Sequence, residues 1–149
     1  MGKYDGKSII ILMADDDPDD RFLAEDALHE AHLCNEMRFV VDGEDLMDYL
    51  LRRGNYTDPE NSPRPGIILL DLNMPRKDGR EAIEEIKKHP DLKRIPVIVL
   101  TTSKAEEDIL RTYEMGACGY ITKPVSFEGL IEVMRAIGKY WFNIVELPE

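Results

Sequence analysis

Five short runs of almost unbroken apolar character recur along the chain: "SIIILMA" (8–14), "MRFVV" (37–41), "IILLDL" (67–72), "PVIVLTT" (96–102) and "GYIT" (119–122). A strand with one wet face alternates apolar and polar residues, whereas a continuous apolar run suits a strand covered on both faces. Each run is followed by a segment with helical periodicity or helix-start signals. Five strand–helix pairs of this kind predict an α/β protein with a parallel sheet and helices on both faces.

The helices carry readable ends. Asp17 before Pro18 is an N-cap followed by proline at the first helical position, and Leu23, Ala24, Ala27, Leu28 and Ala31 form an apolar stripe behind it. Asp42 and Asp45 resemble a capping box for a helix carrying Leu46, Met47, Tyr49, Leu50 and Leu51. The stretch 52–66, rich in Pro, Asn and Gly, reads as a surface loop. A turn with Pro75 and Gly79 leads into a helix over 80–89. The segment 104–116 forms another, closed by Gly116, and Ser126 caps the last.

A chain of 149 residues suits one domain with a real core. Its net charge of −11 argues against direct nucleic-acid binding, which needs a basic face to meet phosphates. No apolar stretch reaches the roughly 20 residues of a membrane helix. The first ten residues lack a signal-peptide layout, and Gly6 stands where a myristoylation signal needs Ser or Thr. A cytoplasmic protein is therefore expected. Cys34 and Cys118, in no paired spacing, read as reduced and partly buried thiols.

In a parallel sheet, ligands bind beyond the carboxyl ends of the strands. Here those ends are polar: Asp15 and Asp16 after the first run, Asp71 in the third, Thr101 and Thr102 in the fourth, Lys123 after the fifth. Three converging carboxylates must take up a proton or a cation. Oxygen donors with open positions suit Mg²⁺, while zinc would want His or Cys, absent from these motifs. A carboxylate can also act as a nucleophile toward phosphorus, with a metal ion and an ammonium offsetting charge on the transferred group. Asp71 is then the acceptor, Asp15 and Asp16 the metal anchors, and Lys123 the ammonium. Asp17, Asp19 and Asp20 read as the cap and negative decoration of a helix start. A calcium loop on Asp15, Asp17 and Asp19 is disfavoured because Asp20 replaces the glycine and Pro18 intrudes. His29, His32 and His89 read as surface residues at helix ends.

On these motifs the chain resembles the receiver domains of two-component response regulators, the CheY-like family. The matching features are Asp15-Asp16, "LLDLNMPRKDG" (69–79) around Asp71, Thr101, and "GYITKP" (119–124) with Lys123; the likeness covers about residues 8–138. The resemblance implies a doubly wound, flavodoxin-like sheet of order 2-1-3-4-5. It implies that Asp71 accepts a phosphoryl group from a phosphohistidine of a sensor histidine kinase. Mg²⁺ is then held by Asp16 and Asp71, by the Asn73 main-chain carbonyl, and by Asp15 through water. Lys123 would pair with the carboxylate or phosphate, ahead of a Lys123–Pro124 bond that family members often have cis. Thr101 would move its hydroxyl to the phosphoryl oxygen and Tyr120 would change rotamer behind it, switching the face of the fourth helix, fifth strand and fifth helix. Ser103 and Asn73 flank the site where members tune acyl-phosphate hydrolysis.

Two features depart from a minimal receiver: the long 52–66 loop and a final helix that runs on through "YWFNIVELP" (140–148). Leu130, Met134, Ile137, Trp141 and Ile144 follow a 4-3-4-3 spacing, an a/d seam, with Trp141, Phe142 and Ile144 expected beyond the sheet's edge as a partner surface. Both features resemble the stand-alone regulators of bacterial and cyanobacterial phytochromes, which implies a phytochrome-type kinase and a homodimer. The expectation is one receiver domain over 1–149, with 139–149 as a helical extension and no attached output domain. Two rivals stand beside this reading: a phosphatase with an aspartyl nucleophile, which would want a second acid where Asn73 stands, and an unphosphorylated scaffold, against which the intact site argues.

Overall fold

Five parallel strands, β1 (Ile11–Ala14), β2 (Met37–Val40), β3 (Ile67–Leu70), β4 (Val97–Thr101) and β5 (Gly119–Thr122), form one sheet of order β2-β1-β3-β4-β5. They belong to a computed structural model that describes residues 9–142. Five helices connect and cover them: α1 (Pro18–Glu30), α2 (Gly43–Leu51), α3 (Gly79–Lys88), α4 (Glu106–Glu114) and α5 (Phe127–Ile137). The order reverses between β2 and β3 around β1, which leaves a crevice at the carboxyl ends of β1 and β3.

The period of two along each strand divides the core. Ile11, Met13, Ile67, Leu69, Ile98 and Leu100 face α1 and α5, where they meet Ala24, Ala27, Leu28 and Met134. Leu12, Ala14, Ile68, Leu70, Val97 and Val99 face the other way, against Leu46, Met47, Ile83 and Ile86 of α2 and α3. Both faces of β1, β3 and β4 are buried, which is why their sequences show no alternation. Among the described residues no helix is long and apolar enough to cross a membrane.

The helix ends hold as read, with refinements. Asp17 accepts from the Asp19 N–H, with Pro18 opening α1. The Ser126 hydroxyl accepts from the Gly129 N–H at 3.0 Å. Asp42 accepts from the Asp45 N–H at 2.7 Å, but the Asp45 carboxylate reaches the Val41 N–H rather than closing a reciprocal box. That bond takes Val41 out of β2. The reciprocal box stands at α3, between Asp78 and Glu81. Leu23 is 39% exposed because Ala24, Ala27, Leu28 and Ala31 already fill the buried side of α1.

The 52–66 segment contains two short helical turns, Gly54–Tyr56 and Pro59–Asn61. It is tied down by the Tyr49 hydroxyl on the Pro63 carbonyl, the Tyr56 hydroxyl on Asp45, and the Ser62 hydroxyl on the Tyr56 and Asp58 carbonyls. The tail departs from the seam. After Ile137 the chain widens into a π-helical turn, Gly138–Phe142, whose extra residue per turn breaks the 4-3-4-3 register. Phe142 is thereby turned inward and buried, and Trp141 packs half-buried on the same cluster, so neither projects as a free aromatic. Ile144 and the rest of the 143–149 extension lie outside the described residues. Cys34 and Cys118 are free and exposed rather than partly buried.

Gly79 fixes the start of α3 against the strand that carries Asp71. Its N–H donates to the Leu72 carbonyl at 2.9 Å, and a Cβ here would lie 2.4 Å from the Asp71 carbonyl oxygen. Gly79→Ala must therefore push main chain away from main chain. A loss of about 1–3 kcal/mol of stability is expected in urea denaturation.

Candidate functional site

Sheet hydrogen bonding continues past the strand ends and sets the site. The Asp15 N–H donates to Val40, the Asp71 N–H to Ala14 and the Lys123 N–H to Thr101, at 3.1, 3.0 and 2.7 Å. These bonds hold the first residue beyond β1, β3 and β5 in the sheet's own register. Asp15, Asp71 and Lys123 therefore enter one crevice, with Thr101 at the end of β4 beside them.

The Lys123 ammonium donates to Asp15 Oδ2 at 2.7 Å, Asp20 Oδ2 at 2.7 Å and Asp71 Oδ2 at 3.2 Å. The other Asp71 oxygen, Oδ1, accepts from the Thr101 hydroxyl at 2.8 Å and the Asn73 N–H at 3.2 Å. Asp15 Oδ1 accepts from the Asp17 N–H at 3.0 Å, and the Arg21 guanidinium holds the Asp15 carbonyl at 2.7 Å. Asp15 and Asp71 are buried, while Asp16 is exposed. Burial pushes the Asp15 carboxyl above its ordinary range despite the Lys123 hydrogen bond that opposes it. Burial also works against charge on Lys123, but hydrogen bonds to Asp15 and Asp20 and the field of Asp15 and Asp71 outweigh it and hold the ammonium above its usual value.

Asp15, Asp16 and Asp71 each offer an oxygen within 4.8 Å of the others. Three carboxylates accept from a single ammonium and a fourth, Asp16, lies close to two of them, so the crevice carries excess negative charge. An all-oxygen donor set with one exposed member fits a hard divalent cation that keeps some of its water.

The remaining expected residues fall into place unevenly. Tyr120 donates its hydroxyl to the Ser103 carbonyl at 3.0 Å, tying β5 to the segment after β4. Ser103 donates to Asp108 at 2.8 Å, and Thr102 is exposed. No peptide bond among the described residues is cis, so Lys123–Pro124 is trans. His29 and His32 are exposed near the end of α1, and the His89 Nδ1 accepts from the Asp91 and Leu92 N–H groups.

Two contributors escaped the sequence reading. Asp20 is a direct partner of Lys123 rather than helix decoration; its only linear sign is its place one turn beyond Asp16. Arg80 makes a two-pronged pair with Asp108, Nε to Oδ1 at 2.9 Å and an Nη to Oδ2 at 2.8 Å, joining α3 to α4 beside the crevice. No local spacing links residues 28 apart.

A family model described as the response regulator receiver domain matches residues 11–135. Response regulator Rcp1 of Synechocystis sp. is 43% identical over 139 residues, spanning 93% of this chain and 92% of that protein. The solved Mn²⁺-bound form of Rcp1 is 42% identical with a TM-score of 0.84, over 95% of this chain and 99% of that one. The phosphorylated cyanobacterial phytochrome response regulator RcpA is 40% identical with a TM-score of 0.87, at the same coverage.

The hydrogen bonds from Arg80 and Ser103 hold the Asp108 carboxyl below its ordinary value of 3.8. A depressed acid contributes stability above its unfolded value and loses it as pH falls through the folded one. Arg80→Met should therefore cost at most about 1 kcal/mol near pH 7 and almost nothing once pH drops well below 3.8 and Asp108 is protonated, read by urea denaturation at both pH values.

Proposed function

We infer the function from one premise: this chain belongs to the response regulator receiver family. It acts as the phospho-accepting module of a two-component relay, taking a phosphoryl group from the phosphohistidine of a sensor histidine kinase onto Asp71. The observation that carries this reading is the polarisation of the Asp71 carboxylate, with the Lys123 ammonium on one oxygen and the Thr101 hydroxyl on the other.

In this reading an Asp71 oxygen attacks phosphorus, the phosphorus–nitrogen bond to the kinase histidine breaks, and the imidazole leaves as the neutral ring after taking a proton. The product is an acyl phosphate. Asp15, Asp16 and Asp71, with the Asn73 main-chain carbonyl, would hold Mg²⁺, which when bound supplies positive charge against the phosphoryl oxygens. Lys123, already donating to Asp71, would offset further charge there. Thr101, now donating to Asp71, transfers its hydrogen bond to a phosphoryl oxygen. That movement loosens the segment between Thr101 and α4, where Tyr120 holds the Ser103 carbonyl and Arg80 holds Asp108. The signal thus leaves through α4, β5 and α5.

Similarity to Rcp1 and to the phytochrome regulator RcpA favours a phytochrome-type kinase as donor. We read residues 1–149 as one receiver domain of a cytoplasmic protein that does not contact nucleic acid directly. Leu110 and Tyr113 of α4 are 60% and 48% exposed, which supports a homodimer through the α4–β5–α5 face.

Intact-mass spectrometry after incubation with a small acyl-phosphate donor and Mg²⁺ should show one added phosphoryl group, absent in Asp71→Asn and with chelator. Sustained turnover of phosphomonoesters would instead favour an aspartyl phosphatase, and no adduct from any donor or kinase a scaffold. A monomer in sedimentation at tens of micromolar protein, with and without donor, would remove the dimer; a concentration-dependent dimer is the expected result.

A further inference from the structure

An ammonium has three N–H bonds, and all three on Lys123 are taken by carboxylates. The two 2.7 Å contacts go to Asp15 and Asp20, and the longest, 3.2 Å, goes to Asp71. The three partners are not equally free to move. Asp15 is fully buried and pinned by the Asp17 N–H, and Asp71 is pinned by Thr101 and Asn73. Asp20 stands on the first turn of α1 with its side chain 34% exposed, at the edge of a cleft of about 100 Å³ shared with Lys123, Pro124 and Phe127. It gives the ammonium a third acceptor on α1, outside the set formed by Asp15, Asp16 and Asp71.

We propose that Asp20 is a positioning residue that shares the Lys123 ammonium from α1, so that the ammonium competes less for Asp15 and Asp71 with a divalent cation held by Asp15, Asp16 and Asp71. The ammonium and the cation need the same carboxylates, and each excludes the other at short range. With its third acceptor on α1, Lys123 stays close enough to reach Asp71 without closing the cation's space. Being the most exposed of the three acceptors, Asp20 is also the one released at least cost when Lys123 turns to a phosphoryl group on Asp71. That last step rests on the phosphoacceptor reading; the effect on cation binding does not.

The test is Mg²⁺ affinity by calorimetry in the full chain, in a double-mutant cycle over Asp20→Asn and Lys123→Met. Asp20→Asn should weaken Mg²⁺ binding by up to about fivefold, the scale of one partly exposed ion pair. In the Lys123→Met background the same substitution should change affinity little, because there is no ammonium left to misplace. Lys123→Gln supplies the background if Lys123→Met does not fold, and Asp20→Glu, which keeps the charge, should retain most of the affinity. Equal weakening in both backgrounds would mean that Asp20 acts by charge alone, and no weakening in either would mean that it does not act; each overturns the proposal. Mass spectrometry on the unsubstituted protein reads the phosphoacceptor function separately, so a missing adduct with an intact cycle fails that reading and leaves the role of Asp20 standing.

Discussion

Four carboxylates gathered round one ammonium are the constraint to which the rest of this molecule answers. Asp15, Asp20 and Asp71 share the Lys123 Nζ, and Asp16 adds a further negative charge at the mouth of the same crevice. Such a cluster is repulsive in sum. It persists because the groups sit on main chain that cannot yield: β1, β3 and β5 keep their hydrogen-bond register for one residue past their ends, and both faces of the central strands are packed. The core's stability holds a crevice whose own charges would part, which leaves it receptive to a cation and to the anionic group that a cation accompanies.

The surrounding loops serve that rigidity. The connection from β3 to α3 docks on the start of α2: the Gly43 N–H donates to the Lys77 carbonyl at 2.8 Å, and Arg76, in the left-handed region at φ 64°, reaches the buried Asp42 at 3.0 Å. A side chain at Gly43 would collide with the Lys77 carbonyl, so the close approach requires glycine. On the opposite flank the attachments are fewer. Thr112 is the one residue of α4 among the described residues to be buried, and α4 starts without a side-chain cap. Asp108 ties its first turn to α3 through Arg80 and to the segment after β4 through Ser103. Under the proposed function, the rigid flank fixes the acceptor and the loosely held flank is the part able to move.

Much of this was legible from the linear chain, and the failures share a cause. The apolar runs gave five strands, up to two described residues shorter than the runs, as where the Val41 N–H turns to Asp45. The caps Asp17, Asp42 and Ser126 were local and were read correctly. The tail departs from its 4-3-4-3 spacing because that spacing assumes an undistorted α-helix, and the π-turn after Ile137 rotates Phe142 into the core. Asp20 reads as helix decoration in the linear chain because its partner lies 103 positions away.

The sequence alone determined that the chain builds a parallel sheet, and that Asp15, Asp16, Asp71, Thr101 and Lys123 stand at the carboxyl ends of its strands. Those facts follow from hydrophobic period and from position within a run, both local properties. The tertiary structure alone decided which of those groups touch, that Asp20 shares the ammonium while Asp71 holds it most loosely, and that Arg80 spans to Asp108. Contacts between charged side chains depend on distances of a few tenths of an ångström between separate elements, and only the packing of those elements sets such distances.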